Sequence, residues 1–435
     1  MNTPISIIVI FHNNEYFEQS INSIIPQLKN NDEIIIVNDN SNYKYNPLLK
    51  QLSQINNIQV ISTCEVKGNR SHNRNIGAMH SQNPILAFVD GDIYFPENLF
   101  DSMRKQLCDQ TYCAIYGNTY GHSGSTFTID AILGINYLNQ LFDSEKWKDL
   151  KKYSLLHDSR EAKEKELLNG EFSWNYFYTS YCMVKRSAFN NAGQFDEGFS
   201  DWGAEDVDLG YRLAKFGRIL YDNKLVAFHI PHEKNRHRNH ITNRRNMYYM
   251  LNKYKASIFE IKIAYRKSQK LFRNLKSFYC TMGEIDVDIL NTTPEPNCIY
   301  CNIISLKNKE GDIYYLNPEG TQEHLKLLGL ALPFCNKFFQ KAYLSYGIFL
   351  YPYPLAARII QEFIRTSNEV YIKNEPMSYR VQWSSECIKT FNTSSPFASI
   401  YYTCKSLDDF TFKILNEEKL IYVTPAFEYY EDVHL

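Results

Sequence analysis

Two aspartates flank one glycine in Asp90-Gly91-Asp92, directly after the apolar run Ile85 to Val89 (ILAFV). A carboxylate there can accept from a base N–H or a ribose hydroxyl, and two around one glycine can hold a divalent cation against a diphosphate. Alone, Asp-Gly-Asp is a turn sequence; its position after a buried strand turns it toward chemistry. A second acidic group stands in Phe195 to Leu213 (FDEGFSDWGAEDVDLGYRL), where a Gly-rich aromatic loop runs into a helix with Leu209, Leu213 and Phe216 as its buried stripe. Glu205 and Asp206 fall in the opening turn, where the helix dipole favours negative charge, and complementing that dipole is the plain role of Glu205, Asp206 and Asp208. Val226 to His232 (VAFHIPH) shifts the balance, because a short strand ending in two histidines offers the usual nitrogen ligand of a divalent metal.

The elements that must position these groups are legible upstream. Ile5 to Phe11 (ISIIVIF) is a β-branched run without alternation, as in a strand buried on both faces of a parallel sheet. Glu18 to Leu28 has apolar residues at helical spacing, followed by a strand at Glu33 to Val37, a helix at Pro47 to Leu52, a strand at Ile58 to Ser62, a helix at Ser71 to His80 and the strand Ile85 to Val89. Alternating strands and helices predict a doubly wound α/β sheet, which binds ligands at the carboxyl ends of its strands. His12-Asn13-Asn14-Glu15, Asn38-Asp39-Asn40-Ser41 and Asp90-Gly91-Asp92 occupy those ends. No G-x-G-x-x-G follows the first strand and no G-x-x-x-x-G-K-[ST] occurs, so a nucleotide would be held another way.

At 435 residues the chain exceeds the usual single core, and about 150 residues per domain predicts two or three units. With 44% hydrophobic and 22% charged residues, wholesale disorder and fibrous classes are excluded. Lys and Arg number 47 against 48 Asp and Glu, a formal charge of −1, so no global basic field points to a nucleic-acid partner. Ten irregularly spaced cysteines form no disulfide framework, and neither a leader segment nor an apolar run of roughly 20 residues is found, so a cytoplasmic location is expected.

Taken in order, the strand with HNNE, VNDNS, GNRSHNRNIG, FVDGD, then MVKRSAFNNAGQFDEGFSDWGAEDVDLGYRL and a following histidine resemble a family-two glycosyltransferase of the GT-A fold. The WGAED segment is similar to the W-G-G-E-D of β-1,4-galactosyltransferases and of the transfer modules of chondroitin-type polymerases; Asn38 stands where the family usually shows Asp, and Ala204 replaces the second glycine. The resemblance implies a GT-A catalytic domain over 1–255, with Asp39 on the uracil, Asp90 on the ribose or metal, Asp92 on the metal and Arg74 near the diphosphate. Phe11, Asn13, Glu15 and Gly91 complete the donor pocket, Asp206 is the general base, and Glu205 and Trp202 shape the sugar and acceptor pocket. The implied function is inverting, Mn²⁺- or Mg²⁺-dependent transfer of a hexose or N-acetylhexosamine from a UDP-sugar to a glycan, lipid-linked or peptide acceptor. A non-catalytic nucleotide-sugar or glycan-binding module and an NDP-sugar nucleotidyltransferase are the rivals; the latter would normally show a Gly-rich, basic loop after the first strand, where this chain has HNNEYF. For the metal, Pro231 must leave the strand ladder, which puts His229 on the rigid strand end and His232 on the loop as the alternative ligand. The Trp202-to-His229 spacing also resembles that of N-acetylgalactosaminyltransferases.

Residues 233–280 carry thirteen Lys and Arg against Glu233 and Glu260. Three readings compete: a closing loop whose Lys234 or Arg236 touches the diphosphate, a basic face lying peripherally on anionic lipid at the inner side of a membrane, and a solvated linker. Residues 256–294 are read as a basic helical linker and 295–435 as a smaller α+β domain for acceptor recognition or homo-oligomerisation, opening with a hairpin at Ile299 to Leu306 and Ile313 to Leu316 and a helix at Thr321 to Leu330. The polar segment Asn139 to Ser173 is a second candidate for acceptor choice.

Overall fold

The computed structural model describes residues 3–13, 15–63, 69–120, 158, 160, 169–170, 172–230, 236–264, 298–302, 312–316, 322–325, 327–344, 348, 353–373, 410–415 and 420–425. The chain divides into two units, Met1–Asn246 and Met247–Leu435. Among the described residues no helix is long and apolar enough to cross a membrane.

The first unit is built on an eight-stranded sheet. Strands β1 (Ile5–Phe11), β2 (Glu33–Asp39), β3 (Ile58–Thr63) and β4 (Ile85–Asp90) alternate with helices α1 (Phe17–Ile24), α2 (Asn46–Leu52) and α3 (Arg70–His80). They lie side by side and parallel in the order β3-β2-β1-β4, so the doubly wound GT-A-type sheet expected from the sequence is present. The β-branched run of β1 is buried on both faces, with Ile8 and Val9 fully enclosed. Helix α1 ends earlier than its apolar spacing predicts: Pro26 lacks the N–H that would continue the ladder, and Ile25–Gln27 closes as a 3₁₀ turn.

The sheet continues through β7 (Tyr181–Lys185), antiparallel to β4, then β6 (Tyr112–Tyr120), β8 (Arg218–His229) and the two-residue β5 (Ile93–Tyr94). Helices α4 (Leu99–Leu107), α5 (Arg186–Asn191) and α6 (Glu205–Leu213) flank these strands. In α6, Leu209 and Leu213 are fully buried as expected, but Phe216 is 46% exposed. The helix ends at Leu213, so the stripe does not reach Phe216. Helix α7 (Arg236–Tyr254) spans the division between units and is followed by α8 (Ser257–Ala264).

The second unit holds a mixed seven-stranded sheet, β11-β10-β9-β12-β13-β15-β14, from β9 (Cys298–Asn302), β10 (Asp312–Leu316), β11 (Gln322–Leu325), β12 (Phe339–Leu344), β13 (Ser367–Lys373), β14 (Phe410–Leu415) and β15 (Leu420–Pro425). Helix α9 (Tyr353–Thr366) makes the crossover between the parallel strands β12 and β13 and buries Ile359, Ile360 and Phe363. The hairpin β9–β10 forms as expected, antiparallel with Tyr314 opposite Tyr300. The helix expected at Thr321 to Leu330 does not. Gln322–Leu325 pairs instead with β10, burying Leu325 opposite Ile313, and the segment after Leu327 is drawn into turns by the buried Glu260 carboxylate. Sheet pairing and that anchor override a local helical spacing.

Candidate active site

The order β3-β2-β1-β4 places the topological switch point between β1 and β4, where the parallel strand ends open a crevice. Asp90 is the last residue of β4 and pairs with Ile10, one residue before the end of β1; Asp39 ends β2, and Asn38 pairs with Phe11. Asp39, Asp90 and the residues after Phe11 therefore share one end of the sheet. His12 Nδ1 lies 2.6 Å from the Asp39 carbonyl oxygen, and the Asn42 amide donates to Asn13 Oδ1 at 2.6 Å, so the loops after β1 and β2 are tied together. Phe11 is fully buried against Phe17, with ring centroids 4.2 Å apart, so it offers a ligand only its backbone. Glu15 is exposed, 3.9 Å from Lys44. Gly91 allows the turn after β4 to press on β1, since a Cβ would stand 2.9 Å from the Ile10 carbonyl oxygen.

Arg74, on α3, is 98% buried between two carboxylates. Its Nη2 donates to Asp90 Oδ1 at 3.0 Å and its Nη1 to Glu205 Oε1 at 3.1 Å. Burial pulls the guanidinium pKa down, but Asp90, Glu205 and Asp206 together outweigh it and hold the group charged. For Asp90, burial raises the carboxyl above its ordinary range, against the pull of Arg74 and Arg70. The sequence reading put Arg74 beside a diphosphate; the structure places it as the tie between the end of β4 and the start of α6.

The acidic helix start separates into distinct partners. Glu205 Oε2 accepts from the Gly203 amide at 3.1 Å, completing its fixation. Asp208, fully buried, pairs with Arg212 at 2.6 Å. Asp206 is half-buried, accepts from the Val207 amide at 2.7 Å, and lies within the field of both Arg74 and Tyr178. Ala204 has φ +73°, a left-handed conformation that strains an alanine and accounts for the glycine usual there.

Asp92 and His229 meet by strand pairing. Ile93 stands opposite His229, and the Ile230 amide donates to the Asp92 carbonyl oxygen at 2.8 Å, which leaves His229 Nε2 3.5 Å from Asp92 Oδ2. A carboxylate and an imidazole converging at the strand ends are donors of the kind that Mn²⁺ or Mg²⁺ takes. Among the described residues no group of three or more His, Cys, Asp or Glu surrounds one metal position. His232 and Lys234 lie outside the described residues, and of Arg236 only its place at the start of α7 is described. Most of the segment Asn139 to Ser173 also lies outside them.

Helix α7 supplies what sequence reasoning missed. Thr242 Oγ1 donates to the Trp202 carbonyl at 3.0 Å, and the buried Asn246 Nδ2 donates to the carbonyls of Ser200 at 2.9 Å and Gly203 at 2.7 Å. Gly203 has φ +102° and would bring a Cβ within 2.6 Å of Asn243. Arg238 pairs with Asp201 at 2.8 Å, and Arg245 donates to Ser200. Part of the basic charge after His229 therefore grips the loop before α6. The signal was a pair of small polar residues, Thr242 and Asn243, one turn before Asn246 inside that basic segment. Arg160 was missed too. Fully buried on Asp158 at 2.5 Å, it lies over the rings of Tyr116 and Tyr178, 5.3 and 5.1 Å from their centroids, and so supports both tyrosines.

Residues 6–192 match the family described as glycosyl transferase family 2. Curated relatives include the validoxylamine A glucosyltransferase of Streptomyces hygroscopicus subsp. jinggangensis, 24% identical over 37% of this chain and 39% of that one. Glycosyltransferase GlyA of Streptococcus pneumoniae is 24% identical over 41% of this chain and 25% of its own length. The matched region is thus well under half the length of these relatives. Among solved structures, Staphylococcus aureus TarS 1–349 superposes with a TM-score of 0.43 at 14% identity, covering 63% of this chain and 74% of that one. The Pyrobaculum calidifontis mannosyltransferase PcManGT, in complex with GDP-Man and Mn²⁺, gives 0.40 at 14% identity, covering 57% and 63%.

Proposed function

We propose, from the match of residues 6–192 to glycosyl transferase family 2, that the chain is an inverting, metal-dependent transferase moving a hexose or N-acetylhexosamine from a UDP-sugar to a glycan, lipid-linked or peptide acceptor. The observation that carries the reading is the Arg74 bridge. It holds the Asp-Gly-Asp strand end and the first turn of α6 together, so a donor diphosphate at the one and an acceptor hydroxyl at the other share a crevice. Asp206 takes the proton from the acceptor hydroxyl as its oxygen attacks the anomeric carbon; the carbon–oxygen bond to the diphosphate breaks and UDP leaves with that electron pair. Glu205, fixed by Arg74 and the Gly203 amide, sets the position of its neighbour Asp206.

Asp39 and the backbone after Phe11 line the nucleoside side of the crevice, with Asn13 and Glu15 on the adjoining loop. Gly91 keeps that turn close to β1, and Trp202 shapes the acceptor side. Asp92 with His229, or His232 in its place, would hold Mn²⁺ or Mg²⁺, which when bound neutralises the charge developing on the diphosphate. Lys234 and Arg236 are proposed to approach the same oxygens. The test is UDP release from a panel of UDP-sugars with manganese, first without acceptor and then with candidate acceptors. Sugar-dependent release supports the reading; UDP-sugar binding without turnover in any combination favours a binding module.

A further inference from the structure

Asn69 caps the start of α3, and His72 and Asn75 follow at three-residue intervals, so the three side chains share one face of the helix. Together they grip the chain a few residues after α5. Asn75 treats Phe195 as a strand neighbour would, accepting from its amide at 3.0 Å and donating to its carbonyl oxygen at 2.9 Å. The same amide nitrogen donates to Glu197 Oε1 at 2.8 Å. His72 Nδ1 donates to Glu197 Oε2 at 2.9 Å, and Asn69 Nδ2 donates to the Glu197 carbonyl oxygen at 3.0 Å. Glu197 is thus held at three points from one helix. Burial would raise its carboxyl, but the hydrogen bonds from Asn75 and His72 outweigh that and hold the pKa below its ordinary value. The carboxylate stays charged and keeps both donors.

Arg74, the chain neighbour of Asn75, carries the far end of the same segment by donating to Glu205 at 3.1 Å, and its guanidinium carbon lies 5.2 Å from the centroid of the Phe195 ring. Phe195 is itself a core residue, edge-on to Phe88 of β4 with centroids 5.0 Å apart. Residues 195–205 therefore start and finish on one helix, with Trp202 between the two anchors and Asp206 directly after the second. The anchors differ in kind. The Arg74 bridge is buried and supports the unit as a whole. The Glu197 side chain is 47% exposed and that of His72 23% exposed, and an ion pair so open to water adds little to global stability. What the matched donors on Glu197 do set is the path of the chain after Phe195. We infer that Glu197 is a positioning residue for the acceptor side of the site: with Asn69, His72 and Asn75 it fixes the entry of the segment that presents Trp202 and Asp206. The role in transfer rests on the function proposed above; the latch itself does not.

The experiment compares the full wild-type chain with Glu197→Ala, His72→Ala and Glu197→Gln, by amide hydrogen exchange read by mass spectrometry and by steady-state kinetics. The acceptor probes are p-nitrophenyl glycosides of glucose, galactose and N-acetylglucosamine. In both alanine variants exchange is expected to quicken over residues 196–204 and to stay unchanged over β1 to β4, with the thermal unfolding midpoint nearly preserved. KM for the glycoside should rise about three- to tenfold, the scale of one lost hydrogen bond, while UDP release without acceptor keeps its rate. Glutamine retains an acceptor for Asn75 and an amide that can pair with the imidazole, so Glu197→Gln should stay within about twofold of wild type. Adding His72→Ala to Glu197→Ala should cost nothing further, because the contact is already gone. Exchange unchanged over that segment, a glycoside KM that does not move, a glutamine variant no better than alanine, or alanine variants that fail to fold each overturn the inference, the last because the latch would then hold the whole unit. A wild type that releases no UDP, with or without these probes, removes the transferase and leaves the exchange measurement to decide the latch. UDP release with exchange indifferent to the variants does the reverse.

Discussion

Arg74 and Glu205, 131 residues apart in the chain, meet at 3.1 Å in the interior of the first unit, and this contact joins the parallel half of the sheet to the helix that begins the acidic motif. Helix α3 is held against β1 and β2, so Arg74 approaches from the side of the crevice at the strand ends. Glu205 approaches from the loop that α7 grips through Thr242 and Asn246. The first turn of α6 and the Asp-Gly-Asp turn are thus set by one shared cation.

Removing that cation leaves Asp90 and Glu205 as neighbouring carboxylates in a water-poor place. Arg74→Met is expected to destabilise the first unit by about 3–5 kcal/mol, the range for breaking a buried pair from one side. Urea unfolding followed by circular dichroism measures it. Arg74→Lys keeps the charge but loses the two-pronged geometry, so it should recover part of the stability and little of the activity. A methionine variant as stable as the wild type would show that the bridge does not organise the site.

Asp206→Asn keeps the shape of the side chain and removes its basic lone pair. Transfer should fall by about 10²- to 10⁴-fold, with UDP affinity nearly unchanged. Turnover above roughly a tenth of wild type would move the role of base to Glu205.

Excess EDTA should abolish transfer and tight UDP binding, because a diphosphate in this crevice needs its charge balanced. Strand pairing holds His229 beside Asp92, at 3.5 Å, so His229→Ala should weaken manganese affinity in the presence of UDP while His232→Ala leaves it nearly intact. The reverse pattern would transfer the ligand to the loop, and full activity in EDTA would remove the metal from the reaction.

Asn246 bridges two carbonyls of the loop that carries Trp202. Asn246→Ala leaves both without that donor, at about 1–3 kcal/mol, and frees Trp202 to move. KM for the acceptor should rise several-fold while UDP release without acceptor is preserved. Loss of both together would mean that the bridge supports the whole unit rather than the acceptor side.

The sheet was legible in the sequence because β1, β2 and β4 are uninterrupted apolar runs, and the ends of such runs are where a doubly wound sheet binds its ligands. That is why Asp39, Asp90 and Asp92 could be placed at strand ends from the sequence, while the roles expected of them came from the family resemblance. Arg74 could be placed on its helix but not given its partners, since a contact across 131 residues leaves no local pattern. Asn246 was hidden by its setting, a helix whose basic residues dominate its composition. In the second unit, Thr321 to Leu330 has a helical spacing but becomes a strand and turns, because Leu325 pairs across to Ile313 and Glu260 collects the amides that follow.

Glu260 gives the second unit a pH dependence whose sign can be worked out. Its carboxylate is fully buried and accepts from the amides of Leu328, Gly329 and Leu330 at 2.6, 2.8 and 3.1 Å. Burial nevertheless dominates and pushes the group up to about 8, from an ordinary 4.5, with those amides opposing. Between these two values the folded unit keeps a proton that the unfolded chain releases. Stability from this group is therefore full below pH 4.5, falls as the pH rises, and is lost above about 8, with a slope of at most about 1.4 kcal/mol per pH unit. Glu260→Gln keeps an acceptor for the amides and cannot ionise, so its unfolding midpoint should lose this decline. Denaturant titrations of both proteins between pH 5 and pH 8 measure the difference. Parallel curves would mean that the three amides, rather than burial, set the charge of Glu260, and that the carboxylate is ionised throughout.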